Sequence, residues 1–398
     1  MQRETFEPGV FAPLAALAVL KLNKNTKRVF EPAYVYPDEA LSELRNLTDL
    51  HIDGLPLAVF GPGFNRMTSL RRLVLSGLDE GYCKMGFLSN DTFSNVAQLT
   101  YLNVSDCSIL VNGSGIDAFA PLQNLEGLDV TFNLKLGFNH LADLLRPLND
   151  SNLTCLTMTS INNRYSTGEA VTSSFASSLP RKLEFLVARE NALEMIEDGA
   201  IETLPPDLKY IDLGDNRLTF STYLKDLPML KNLKHLMLNS IGYIFRVPKG
   251  YPPPAERTIQ LPWGGSCEEP GDCIDTGRFE LFLPPNLKVL DMSVMDLKYI
   301  LSDLFVNANN SLQKLVLDDN YFPSLEGPIY GLEKLTELHL KHTSVSSIKK
   351  AFFQNFNSLQ KLFLARNRLG AFFENSGQSN PIFEDLKISP PLTCPATG

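Results

Sequence analysis

Leu125-Glu126-Gly127-Leu128-Asp129-Val130-Thr131-Phe132-Asn133 has the form L-x-x-L-x-L-x-x-N, with Val130 in the third apolar place. The form decides the fold because it returns along the whole chain. Taking that third apolar residue as a marker, it recurs at Leu22, Ile52, Leu75, Val104, Val130, Met158, Ala188, Leu213, Leu238, Met292, Leu317, Leu340, Leu364 and Ile388. These fourteen positions keep one register, with spacings of 23 to 30 residues except for a gap of 54 between Leu238 and Met292. Such periodicity predicts an α/β leucine-rich-repeat solenoid of 14 or 15 repeats, curved as a horseshoe with a parallel sheet on its concave face.

The physical reading follows from the pattern. The x-L-x-L segment is a short strand whose alternate residues point into the core and out to the sheet face. The Asn, or Cys107 in its place, turns the chain, and its side chain can satisfy backbone groups of adjacent turns that would otherwise be buried unpaired. Phe93, Phe119, Phe175, Phe305 and Phe356 lie upstream of the strands and are expected to fill the convex side as packing. The array is expected to run over 1–398 as one domain, with an irregular loop at about 246–286. That stretch holds Pro252-Pro253-Pro254, Trp263, Cys267 and Cys273, and its prolines and glycines are breakers. Ile259-Gln260-Leu261 falls near the array's spacing, so a degenerate repeat inside the gap is the favoured expectation over a bare excursion.

With 44% hydrophobic and 20% charged residues, the composition suits a folded protein. A net charge of −9 disfavours a sequence-independent grip on phosphate backbones. No apolar run is long enough for a transmembrane helix. Val10 to Leu22 could pass for a signal-peptide core, but Glu4 and Glu7 precede it and its leucines sit in repeat register. N-x-S/T acceptors stand at Asn46, Asn90, Asn103, Asn112, Asn149, Asn152 and Asn309, against roughly three or four by chance. With six cysteines, this favours an extracellular or luminal setting. Cys83 and Cys107 should be neighbours across one stacking step, and a disulfide there would stabilise by roughly 2–4 kcal/mol. Two buried free thiols are the alternative. Cys267 and Cys273 read as a local disulfide.

No enzyme, cofactor or metal centre is expected. The histidines His51, His140, His235, His339 and His342 fall in no metal-ligand spacing, and no G-x-S-x-G occurs. His51 and His339 take outward strand positions but lie too far apart to titrate together. A binding surface is therefore expected. Six of the seven glycan acceptors fall between Asn46 and Asn152, and Asn103 takes an outward strand position, where a glycan would obstruct approach. The barer half presents Val187, Asp212, Met237, Asp291, Val316, His339, Phe363 and Lys387 outward, beside the Trp263 loop. An exposed apolar row of this kind marks a contact site, and a tryptophan can anchor a partner. Contacts on a flank of the array are the alternative.

The sequence resembles the ectodomain of a Toll-like receptor over nearly its whole length. The likeness rests on the uneven repeat lengths, the cysteine variant at Leu99 to Cys107, and the long mid-array loop. It rests also on the L-P-P-x-L forms Leu204-Pro205-Pro206-Asp207-Leu208 and Leu283-Pro284-Pro285-Asn286-Leu287. The resemblance implies an innate immune receptor that binds a microbial or protein ligand, dimerises, and signals through a cytoplasmic TIR domain. No leader, terminal cysteine-rich cap, membrane span or TIR domain is recognised in these residues, so the chain is expected to be a portion of such a receptor. A secreted repeat module without signalling and an intracellular repeat scaffold are the alternatives.

Overall fold

A computed structural model describes residues 6–7, 9–25, 36–56, 59–78, 81–163, 168–218, 225–239, 279–295, 304–307 and 309–370. The chain forms two compact units: Met1–Leu193 with Thr203–Ile211, and Glu194–Glu202 with Asp212–Gly398. In the first unit the strands Val19–Leu22, Asp49–Ile52, Arg72–Val74, Tyr101–Asn103, Gly127–Asp129, Cys155–Thr157 and Phe185–Val187 pair in parallel, each with the next. In the second unit His235–Met237, Val289–Asp291, Lys314–Val316, Glu337–His339 and Lys361–Phe363 do the same. Each is an x-L-x segment of the repeat. Register is strict, so Leu50, Leu73, Leu102, Leu128, Leu156 and Leu186 stand in one column. This is a leucine-rich-repeat solenoid.

The leucines build the core. Leu47, Leu50, Leu70, Leu73, Leu99 and Leu102 are fully buried, each worth roughly 1.5–3 kcal/mol relative to exposure. Behind them the upstream aromatics form a spine. Phe60, Phe93 and Phe119 are all buried, with ring centroids 5.9 and 5.7 Å apart. Phe138 meets Phe175 edge-on at 4.7 Å. In the second unit Phe352, Phe353 and Phe356 cluster within 5.0 to 6.4 Å. Phe305 falls in the strand Leu304–Val306, which pairs with Phe279–Leu281.

The asparagine ladder is the second component. Asn133 is completely buried. Its Oδ1 accepts from the amides of Cys107 and Ile109, and its Nδ2 donates to the carbonyls of Val104 and Val130. Asn191, Asn320 and Asn367 make equivalent links to the preceding turn. The residue before each turns in the left-handed region although it is not glycine: Phe132, Glu190, Asp319 and Arg366 have φ of 53 to 59°. Isolated residues rarely adopt this conformation. Here it recurs because the turn aims the carboxamide inward, and the bonds gained offset the local strain.

One expectation is corrected. Met237 stands directly opposite Asp291 in the sheet, and the amides of Lys288 and Val289 both donate to the Lys234 carbonyl. Asn286 Nδ2 also reaches the Lys231 carbonyl, 55 residues back in the chain. The turns on either side of the 54-residue gap are therefore stacking neighbours. Strands His235–Met237 and Val289–Asp291 are thus direct neighbours in the sheet, and Ile259-Gln260-Leu261 lie outside the described residues. The end of the gap, expected as loop to about 286, is already in repeat register at Phe279–Leu281.

Cys83 and Cys107 are joined, with Sγ atoms 2.08 Å apart. Gly54 makes the junction possible. It pairs with Cys83 as a parallel bridge, and a Cβ there would lie 2.0 Å from the Cys83 Sγ. Among the described residues Cys155 is the free cysteine. Non-reducing peptide mapping of secreted protein should recover the 83–107 pair, with Cys155 open to alkylation. Recovery of all three thiols free would contradict the pairing. Gly54→Ala should lower the yield of folded protein by forcing the turns apart. For the ladder, Asn133→Ala should destabilise by about 3 kcal/mol or more, since several buried backbone groups lose partners at about 1–3 kcal/mol each. Asn124→Ala, which loses one exposed bond to the Ala97 carbonyl, should move the urea midpoint far less.

Candidate ligand-binding surface

Each strand offers two outward positions, so the sheet face carries two columns of side chains. In the first unit one column runs Asp49, Arg72, Tyr101, Gly127, Cys155, Phe185 and the other His51, Val74, Asn103, Asp129, Thr157, Val187. Arg72 bridges Asp49 at 3.4 Å and lies 3.8 Å over the Tyr101 ring. That ring leans across the next strand at Gly127, where a Cβ would come within 2.8 Å of it. Burial first, then the Asp129 charge, pushes the Cys155 thiol above its ordinary pKa, so it is not an activated nucleophile. Phe185 is exposed.

The second unit holds a different face. Its columns are His235, Val289, Lys314, Glu337, Lys361 and Met237, Asp291, Val316, His339, Phe363. Glu337 is the hub. Its Oε1 lies 2.6 Å from His339 Nε2 and 2.9 Å from Lys314 Nζ, and its Oε2 lies 3.2 Å from Lys361 Nζ. His339 stacks on Phe363 with centroids 4.2 Å apart. Lys341 stands 5.0 Å over the Phe363 ring and 3.9 Å from Asp318, whose Oδ1 accepts the Lys341 amide. On the adjoining flank His342 meets Asp319 at 2.7 Å. Hydrogen bonds from His339 and then Lys314 hold the Glu337 carboxyl down at about 2. Burial, then the charges of Lys234 and Lys288, lowers the pKa of His235.

The expected contact row is only partly what the sequence suggested. Val187, Met237, Val316 and Phe363 do lie on the sheet face in register. They are half-buried among neighbouring side chains, not an exposed apolar patch. Asp212 and His339 are buried. Asp212 and Asp291 act on their own backbone, accepting the amides of Gly214 and Ser293 two residues on. Asn103 does the same for Ser105, as does Asp129 for Thr131. These acidic and amide groups close the strand ends as Asx turns. Asn103 is therefore buried, with its carboxamide oxygen engaged by Ser105. Among the other acceptors Asn46, Asn90, Asn112, Asn152 and Asn309 are exposed, while Asn149 is half-buried. Trp263, Cys267, Cys273 and Lys387 lie outside the described residues. The sequence reading missed Lys314, Glu337 and Lys361, although their alternating charges at one repeat position, 23 and 24 residues apart, were visible.

The hub has a pH signature. A carboxyl held at about 2, against an ordinary 4.5, contributes stability that is fully present above 4.5 and is lost as pH falls toward 2. Glu337→Gln should therefore lower the urea midpoint at neutral pH, and the deficit should shrink as both proteins are titrated from 4.5 to about 2. A deficit independent of pH over that window would contradict the ionic hub.

The leucine rich repeat family profile matches residues 310–369. Toll-like receptor 4 of Pinctada imbricata is 27% identical over 411 residues, which cover 93% of this chain and 44% of that protein. Lumican of Gallus gallus is 28% identical over 193 residues, covering 48% of this chain and 52% of that protein. The chain thus spans about half the length of the curated relatives it matches. Among solved structures, the TLR13–ssRNA13 complex aligns with a TM-score of 0.48 at 16% identity, covering 94% of this chain and 55% of that one. An internalin C2 from Listeria monocytogenes aligns at 0.37 and 21% identity, covering 57% and 83%. Repeat pattern, parallel sheet and family profile agree that the chain is a leucine-rich-repeat protein, and over 93% of its own length it is similar to part of a Toll-like receptor.

Proposed function

We propose that the chain is the ligand-binding part of a Toll-like innate immune receptor, facing an extracellular or luminal space, and that it takes a microbial or protein ligand on the sheet face of its second unit. The observation that supports this reading is the Glu337 hub with His339, Lys314 and Lys361, beside Phe363 and Lys341. A repeat array needs its inward leucines for stability, whereas outward positions on a strand are free to vary. Here five consecutive sheet strands present a mixed ionic and aromatic surface of the kind that orients a partner. Exposed asparagine acceptors and the buried 83–107 disulfide suit an oxidising, secretory route. The likeness to a receptor suggests that two copies act together.

The test uses the whole chain, secreted and shown to be folded, with heat-killed bacteria and their soluble extract as the probe. Wild type should bind, and Phe363→Asp and Lys361→Glu should each weaken binding about tenfold, as expected for a central aromatic and a rim charge. Arg181→Glu, which alters an exposed ion pair with Asp150 in the first unit, should leave binding unchanged. Absence of binding, or loss in Arg181→Glu alone, would overturn the proposal.

A further inference from the structure

The lysines of the second unit's sheet face are only partly used. Lys314 and Lys361 each give Glu337 one contact, and Lys341 approaches Asp318 at the edge of contact range. An ammonium carries three donors, so each keeps capacity for another acceptor. The acids are placed the other way. The Glu337 side chain is 18% exposed and that of Asp318 17%, against 63% for Lys361 and 41% for Lys341. The carboxylates lie at the base of the cluster and the ammonium groups stand above them. Glu337 thus fixes two lysines while contributing little negative field outward. Lys234 and Lys288, both exposed, extend the cationic side at strands His235–Met237 and Val289–Asp291. In a chain of net charge −9, this sets exposed ammonium groups above the largely covered carboxylates of Glu337 and Asp318.

From this arrangement we infer that the Lys314–Lys341–Lys361 face of the second unit docks an acidic polypeptide segment, an inference that rests on the sheet face being the binding surface. Lys314 and Lys361 open the two strands that flank Glu337–His339, each about 4.8 Å from it, and Lys341 lies in the turn just after that strand. An extended segment crossing the strands meets Lys314 and Lys361 with Asp or Glu side chains, and Lys341 offers a third contact at the strand end. The apolar partners for its intervening residues are the half-buried Val316 and Phe363. A nucleic acid fits this face less well. The Phe363 ring is already covered by His339 and approached by Lys341, so it offers no bare platform for base stacking.

The test titrates the folded, secreted chain with fluorescent poly-L-glutamate and, in parallel, with oligothymidylate of matched charge. Poly-L-glutamate should bind, weaken as salt rises, and lose about tenfold affinity in Lys314→Gln/Lys341→Gln/Lys361→Gln. Lys182→Gln/Lys225→Gln/Lys349→Gln removes the same charge elsewhere and should change binding less than twofold. If the first triple variant fails to fold, the double variant Lys341→Gln/Lys361→Gln, which spares Lys314, carries the test. No binding, equal losses in both triple variants, or tighter binding of oligothymidylate would each overturn the inference. A chain that binds bacterial extract through Phe363 and Lys361 yet ignores poly-L-glutamate would sink only this inference and leave the broader reading standing.

Discussion

The structure depends on one recurrent bond set: a buried asparagine carboxamide that joins the turn it belongs to with the turn before. A short parallel strand leaves amides and carbonyls at its end with no strand partner, and burying them unpaired is costly. Asn133 satisfies four such groups at once, and Asn367 does the same work in the second unit. The leucine columns supply the hydrophobic drive, but they would tolerate slippage of one turn over another. Carboxamide bonds between fixed partners do not. They hold the register that makes outward columns of side chains possible.

Once register is fixed, the sheet face becomes a composed surface in which each repeat contributes two side chains. The acidic and amide members of the second column, Asn103, Asp129, Asp212 and Asp291, turn back on their own strand ends. His339 interrupts that habit. With no short side-chain oxygen to close its strand end, its ring turns instead to Glu337 and Phe363, and the neighbouring lysines assemble around the same carboxylate. The face changes from self-satisfied turns to a cluster with donors to spare.

Most of the fold was legible in the sequence, because inward leucines and turn asparagines are read by position alone. The 83–107 pairing could be placed by counting residues between adjacent turns. What failed were statements about exposure. Val187, Met237, Val316 and Phe363 were located correctly on the face, but their half-burial depends on the length of side chains 23 to 54 residues away. Asp212 and Asn103 looked available because a strand pattern shows direction and not the local bond that claims an oxygen. The Lys314, Glu337 and Lys361 alternation was readable in principle, yet it carries meaning only once strands are known to lie side by side. Across the gap of 54 residues, spacing near the repeat length does not show whether a strand is present.

The central claim is that ligand meets the sheet face of the second unit. Lysine reactivity, read by mass spectrometry after brief acetylation of the folded chain with and without saturating bacterial extract, tests it most directly. The account predicts strong protection of Lys314, Lys341 and Lys361, with Lys182 and Lys225 unchanged. Protection confined to Lys182 or Lys225, with the three sheet-face lysines as reactive as in the free chain, would contradict it.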